Sequence, residues 1–143
     1  MKESYGGMFL ITLVTIFVVL FMSILLLGIN YTRAFKVKNE VINILERKQG
    51  FNPEAKTEID NYTDQMHYGG EEDLLKGKCT GTKSNAVDNI CIEKKGITMG
   101  EDGEDAYAYY KVTTYIYIEI PLVIKGKFLV PVSGETKTIE LVE

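Results

Sequence analysis

The chain has no tryptophan, one histidine, two cysteines and three prolines in 143 residues. Each scarcity excludes something. An ordinary structural zinc site takes four Cys or His ligands, more than the chain carries. A Ser-His-Asp or Cys-His arrangement would have to use His67, and no G-x-S-x-G elbow accompanies it. Basic charge is scarce after residue 50: residues 51–143 hold ten Lys/Arg against seventeen Asp/Glu. Clustered cations for phosphate contacts are therefore lacking, and nucleic acid is not an expected partner. There is no internal repeat and no low-complexity tract. No cofactor is implied. The length leaves room for one small domain.

What is abundant is apolar sequence near the start. Met8 to Gly28 reads MFLITLVTIFVVLFMSILLLG, with no charge and only Thr12, Thr15 and Ser23 polar. As a helix this run is about 31 Å long, matching a hydrocarbon core of about 30 Å. It is longer than the apolar stretch of a cleaved secretory signal, and no A-x-A pattern follows it. The expectation is a stably inserted transmembrane helix over 8–28. Arg33 to Gln49 holds no Pro or Gly, and Ala34, Val37, Val41, Ile44, Leu45 and Lys48 recur at steps of three and four. An amphipathic extension of the same helix over 29–50 is predicted, with Gly50 as its stop. Orientation has two opposing signals. Arg33, Lys36 and Lys38 favour a cytoplasmic C-terminal side by the positive-inside rule. The cysteine pair favours the opposite side.

Residues 51–143 read as an α+β domain. Asn52-Pro53-Glu54 carries an N-cap residue, a proline for the first helical position and an acidic first turn. A short helix to about His67 follows, ended by Gly69-Gly70. Residues 69–105 look like a long loop dominated by Gly, Asp, Asn, Lys and Glu. From Ala106 to Ile120 the period is two, with Ala108, Tyr110, Val112, Thr114, Ile116, Ile118 and Ile120 on the expected core face. Pro121 marks an end, bulge or edge. Leu122 to Val130 resumes strand, with a turn or bulge at Lys125-Gly126-Lys127. Pro131 to Gly134 reads as a turn and Glu135 to Val142 as a last strand. The predicted fold is a long N-terminal helix, transmembrane then amphipathic, packed through Val37, Val41, Ile44 and Leu45 on a small C-terminal antiparallel sheet.

The candidate chemistry is thin. Cys79 and Cys91 have neither redox-motif nor metal-ligand spacing. They read either as a disulfide closing a surface loop in an oxidising compartment or as two free thiols, and their polar flanks favour the former. Glu101, Asp102, Glu104 and Asp105 form an acidic run that departs from the EF-hand pattern; a solvated turn is the leading reading, and calcium the lesser one. Tyr107, Tyr109, Tyr115 and Tyr117 share the outer strand face, either as an interface or as ordinary cross-strand packing. His67 belongs to a helix end. Asn30-Tyr-Thr and Asn61-Tyr-Thr match the glycosylation sequon and receive no role.

The order of parts is a short hydrophilic segment ending in Gly6-Gly7, an apolar helix, its amphipathic continuation, a cysteine loop and a C-terminal sheet. It resembles type IV pilin-like proteins, and among them the TadE-like minor pilins. The resemblance implies a leader over residues 1–7, cut between Gly7 and Met8 by a prepilin-type peptidase. It also implies an apolar helix that packs against other pilin-like subunits. The fifth position from Met8 is Thr12, where pilins usually carry Glu. The expected function is a non-enzymatic minor pilin or pseudopilin of a bacterial surface filament or secretion-type assembly. It would sit in the cell membrane with residues 51–143 extracytoplasmic. The alternative is a single-pass anchored binding module that does not polymerise.

Overall fold

A computed structural model describes residues 2–68, 79, 84–87, 90–99, 105–119 and 127–140. The chain divides into two compact units, Met1–Thr32 and Arg33–Glu143. Helix α1 runs Lys2–Arg47 and α2 Pro53–Gln65; the strands are β1 Ser84–Val87, β2 Ile90–Met99, β3 Asp105–Glu119, β4 Lys127–Glu135 and β5 Ile139–Glu140.

The first unit is helix alone. It begins at Lys2, so Gly6 and Gly7 are helical. Every residue from Tyr5 to Arg33 is exposed. This is a helix long and apolar enough to cross a membrane, with none of its most apolar window buried inside the protein.

In the second unit the expected stripe becomes the core: Ala34, Val37, Val41, Ile44 and Leu45 are all buried. Burying a Val, Leu or Ile side chain is worth about 1.5–3 kcal/mol, so this face alone holds α1 on the sheet. The helix ends in a Schellman turn, in which Gln49 N–H donates to Glu46 C=O at 3.3 Å and Gly50 N–H to Leu45 C=O at 2.9 Å. The left-handed position is Gln49, at φ 52°, and Gly50 follows at φ 134°. The Asn52 carboxamide then joins the two helices. Its Oδ1 accepts from Ala55 N–H at 2.7 Å and its Nδ2 donates to Lys48 C=O at 3.1 Å. Ala55 and Ile59 of α2 are buried, with Tyr62 and Met66 packed beside them. α2 ends at Gln65 in a second Schellman turn, with His67 N–H on Asp64 C=O and Tyr68 N–H on Thr63 C=O. The stop is therefore His67, at φ 48°, rather than Gly69-Gly70, which lie outside the described residues.

The sheet is antiparallel in the order β1-β2-β3-β4, and β5 pairs β3 on the edge that β4 occupies. Lys111 faces Glu135 while Ala108 faces Ile139, so two residues of β3 oppose three of the partner. That is a bulge. Thr136 holds it from one side, its N–H donating to Tyr110 C=O and its Oγ1 accepting from Tyr110 N–H, both at 2.9 Å. Lys137 N–H turns instead to Glu46 Oε1 on α1, at 2.9 Å. Of the expected core face of β3, Ala108, Tyr110, Val112, Thr114 and Ile116 are all buried; the Ile118 side chain and Ile120 lie outside the described residues.

Three further expectations fail. The last strand expected over Glu135 to Val142 is only β5, since Glu135 closes β4; residues 141–143 lie outside the described residues, as do Ile120 to Gly126 and the expectations placed on them. The loop expected over 69–105 contains β1 and β2. The turn expected at Pro131–Gly134 lies inside β4. Proline is tolerated there because β4 has β3 on one side only, so its missing N–H deprives no described strand. Gly134 is needed for close approach rather than turning. A Cβ added there would stand 3.0 Å from Ile42 Cδ1 and 3.2 Å from Lys38 Cδ.

Candidate functional site

The helix over Met8–Gly28 is the most distinctive surface. Its only polar side chains are satisfied within it: Thr12 Oγ1 donates to Met8 C=O at 2.9 Å, Thr15 to Ile11 C=O at 2.8 Å and Ser23 to Val19 C=O at 2.8 Å. Hydroxyls bonded back to the preceding turn carry no unmet hydrogen bond into lipid. The segment meets the two demands of hydrocarbon, apolar side chains and internally paired polar groups.

Cys79 and Cys91 form a disulfide, with Cα atoms 5.6 Å apart. Cys91 is 2 % exposed on β2 and pairs Thr113. It therefore lies on the face opposite the core, and the bond fastens residue 79 across that face. Of the tyrosines expected there, Tyr107 is exposed, Tyr109 and Tyr115 are half-buried, and the Tyr117 side chain lies outside the described residues. Lys111 stands between Glu93 and Glu135 in the same row of strands, so the tyrosines do not form one uninterrupted apolar patch.

Glu101, Asp102 and Glu104 lie outside the described residues, and Asp105 opens β3. Among the described residues no group of three or more His, Cys, Asp or Glu side chains is placed to hold a metal ion. His67 closes α2, as its position suggested. Asn61 is exposed, but the sequon's Thr63 is buried, with Oγ1 donating to Asp60 C=O at 2.9 Å.

Sequence reasoning missed a buried polar node. The Tyr68 hydroxyl donates to Tyr115 C=O at 2.8 Å. Thr114 Oγ1 lies 3.3 Å from Ala34 C=O and 3.2 Å from Val132 C=O, tying α1, β3 and β4 together. Burial pushes the Tyr68 phenol up to about 12, and a hydrogen bond with Thr114 pulls weakly the other way. Nothing in the sequence separated Thr114 from its strand neighbours, because a buried threonine needs knowledge of the carbonyls facing it. Lys38 is a second surprise: it is buried, its alkyl stem on Gly134 and its ammonium 4.2 Å from the Phe35 ring centroid.

The described residues form an apolar helix and a disulfide-bearing α+β unit. Compared with the models of known protein families, with curated proteins and with solved structures, the chain matches none.

Proposed function

We propose that this protein is a membrane-anchored, non-enzymatic assembly subunit of pilin-like type. The observation that carries this reading is the division of labour along α1. Its first part is apolar on all sides and uncovered, while Ala34 to Leu45 present one stripe to a folded domain. A helix apolar all round needs lipid or other such helices around it. The disulfide supports an oxidising, extracytoplasmic location for the second unit, against the basic residues Arg33 and Lys36. Gly6-Gly7 supports leader processing, because each glycine weakens a helix by about 1 kcal/mol relative to alanine just where a peptidase must open it. The partners on this reading are the membrane, other pilin-like subunits and a prepilin-type peptidase.

The test is the intact mass of the protein, purified without reductant from its own cells, together with a sheared surface fraction. The expected result is a chain beginning at Met8, two hydrogens short, recovered with filaments. A full-length chain confined to the membrane would overturn the pilin-like reading and leave an anchored binding module, with the Tyr107 face as the surface to examine.

A further inference from the structure

Within the second unit, α1 runs in the same direction as β4. Ala34 C=O lies against Thr114 Oγ1, which also reaches Val132. Lys38 and Ile42 lie against Gly134, and Glu46 against Lys137. Moving along α1 from residue 34 to residue 46 therefore moves along the partner strand from 132 to 137. The part of β4 before Val132 must then extend past Ala34, at the end of the unit that carries its first residue, Arg33. That part, Lys127–Pro131, is still paired with Tyr115–Glu119 of β3. At about 3.3 Å per residue the overhang is roughly 17 Å.

Along β3 the core reaches into the overhang as far as Ile116, 4 % exposed, but along β4 it ends at Val132. Val132 is 7 % exposed, whereas Val130, on the same face, is 39 % exposed. Leu129 is half-buried, and Phe35 at the same end of α1 is 44 % exposed. Arg33 and Lys36 are exposed there too. Apolar and aromatic side chains among a surplus of cations is the composition of an interfacial surface on anionic lipid. Chain length places such a surface within reach. Arg33 is five residues after Gly28, so at most about 18 Å of chain separates it from the end of the apolar run. The headgroup layer is itself roughly 5–8 Å deep.

We propose that the overhanging β3–β4 end, through Leu129 and Val130 with Phe35, Arg33 and Lys36, rests on the membrane surface and binds anionic phospholipid headgroups. The inference rests on the anchored reading of Met8–Gly28 and adds a second contact with the same bilayer. It makes the membrane a partner of the folded unit as well as of the apolar helix.

The absence of tryptophan makes the test clean. Full-length single variants Val130→Trp, Lys95→Trp and Phe17→Trp are reconstituted in vesicles of phosphatidylcholine and phosphatidylglycerol, with and without brominated acyl chains. Val130→Trp is expected to show blue-shifted emission and to lose most of it to shallow bromines. Adding Arg33→Gln and Lys36→Gln should reverse much of that loss. Lys95→Trp, in the middle of the domain, should emit as in water. Deep quenching of Phe17→Trp reports the anchor separately. A water-like, unquenched Val130→Trp beside a quenched Phe17→Trp overturns the proposal and leaves the anchor standing. An unquenched Phe17→Trp overturns both. A blue shift at Val130→Trp that ignores brominated lipid and grows with the protein-to-lipid ratio overturns it in favour of contact with a second copy.

Discussion

Two adjacent residues at the end of α2 show how single side chains set the stability of the folded unit. His67 occupies the left-handed position of the Schellman turn, at φ 48°. An L-residue there costs roughly 1–2 kcal/mol, against about 0.5–1 kcal/mol of extra unfolded-state entropy for glycine. His67→Gly should therefore raise stability by up to about 1 kcal/mol, read as a higher urea midpoint with unchanged slope. A lower midpoint would mean that the imidazole makes a contact outweighing the strain. Tyr68 gives a pH dependence. Its phenol sits near 12 in the folded chain, against an ordinary value of 10.0. Below pH 10 both states hold the proton and the residue adds no slope. Between about 10 and 12 the unfolded chain ionises first, so stability falls as pH rises through that window. Tyr68→Phe should start lower, by about 1 kcal/mol for the bond lost at Tyr115 C=O, and should lose less across the same window.

Among the elements, legibility followed how completely each one carries its own pattern. α1 and β3 hold their apolar positions at clean periods of 3.6 and two, and both were readable from sequence alone. Asn52-Pro53 announced α2 because the cap is local chemistry; Asn52→Ala should cost about 1–2 kcal/mol, since it removes the bond to Ala55 N–H and the donor to Lys48 C=O together. β2 was not readable. Its core-side row is Ile90, Ile92, Lys94 and Gly96, opposite Thr114, Val112, Tyr110 and Ala108, so only two of its own four positions carry apolar side chains. β1 has four residues, too short for a period to stand out, and among the described residues it pairs β2 alone. In β4, Pro131 and Gly134 imitate a turn because the two facts that license them, an edge and an approaching helix, belong to other elements. Gly134→Val tests the second. With Ile42 and Lys38 already within 3.2 Å of a Cβ there, a branched side chain should cost about 1–3 kcal/mol, seen as a lowered thermal midpoint. An unchanged midpoint would show that the two side chains can move aside freely. The polar node at Thr114 was missed for the same kind of reason, since the carbonyls of Ala34 and Val132 that it joins lie 80 and 18 residues away.

For the molecule as a whole, the question is whether folding and anchoring are separable. Every core residue from Ala34 to Ile139 belongs to the second unit, Arg33–Glu143, and every residue from Tyr5 to Thr32 is exposed. The disulfide also lies wholly within that unit, and closing a loop of 12 residues is worth about 2.5–3 kcal/mol on the chain-entropy account. A chain cut to Arg33–Glu143 should then be water-soluble without detergent and retain the α+β circular dichroism. It should unfold cooperatively, with a midpoint within a few degrees of the second unit in the full-length protein held in micelles. Reduction should lower that midpoint equally in both, because the bond constrains the same loop in each. Two results would contradict this account. One is a cut chain that aggregates or melts without cooperativity, which would make Met8–Gly28 part of the fold rather than an anchor appended to it. The other is a reduced midpoint that falls only in the full-length protein, which would place the disulfide's effect in an assembly of chains instead of in the single folded unit.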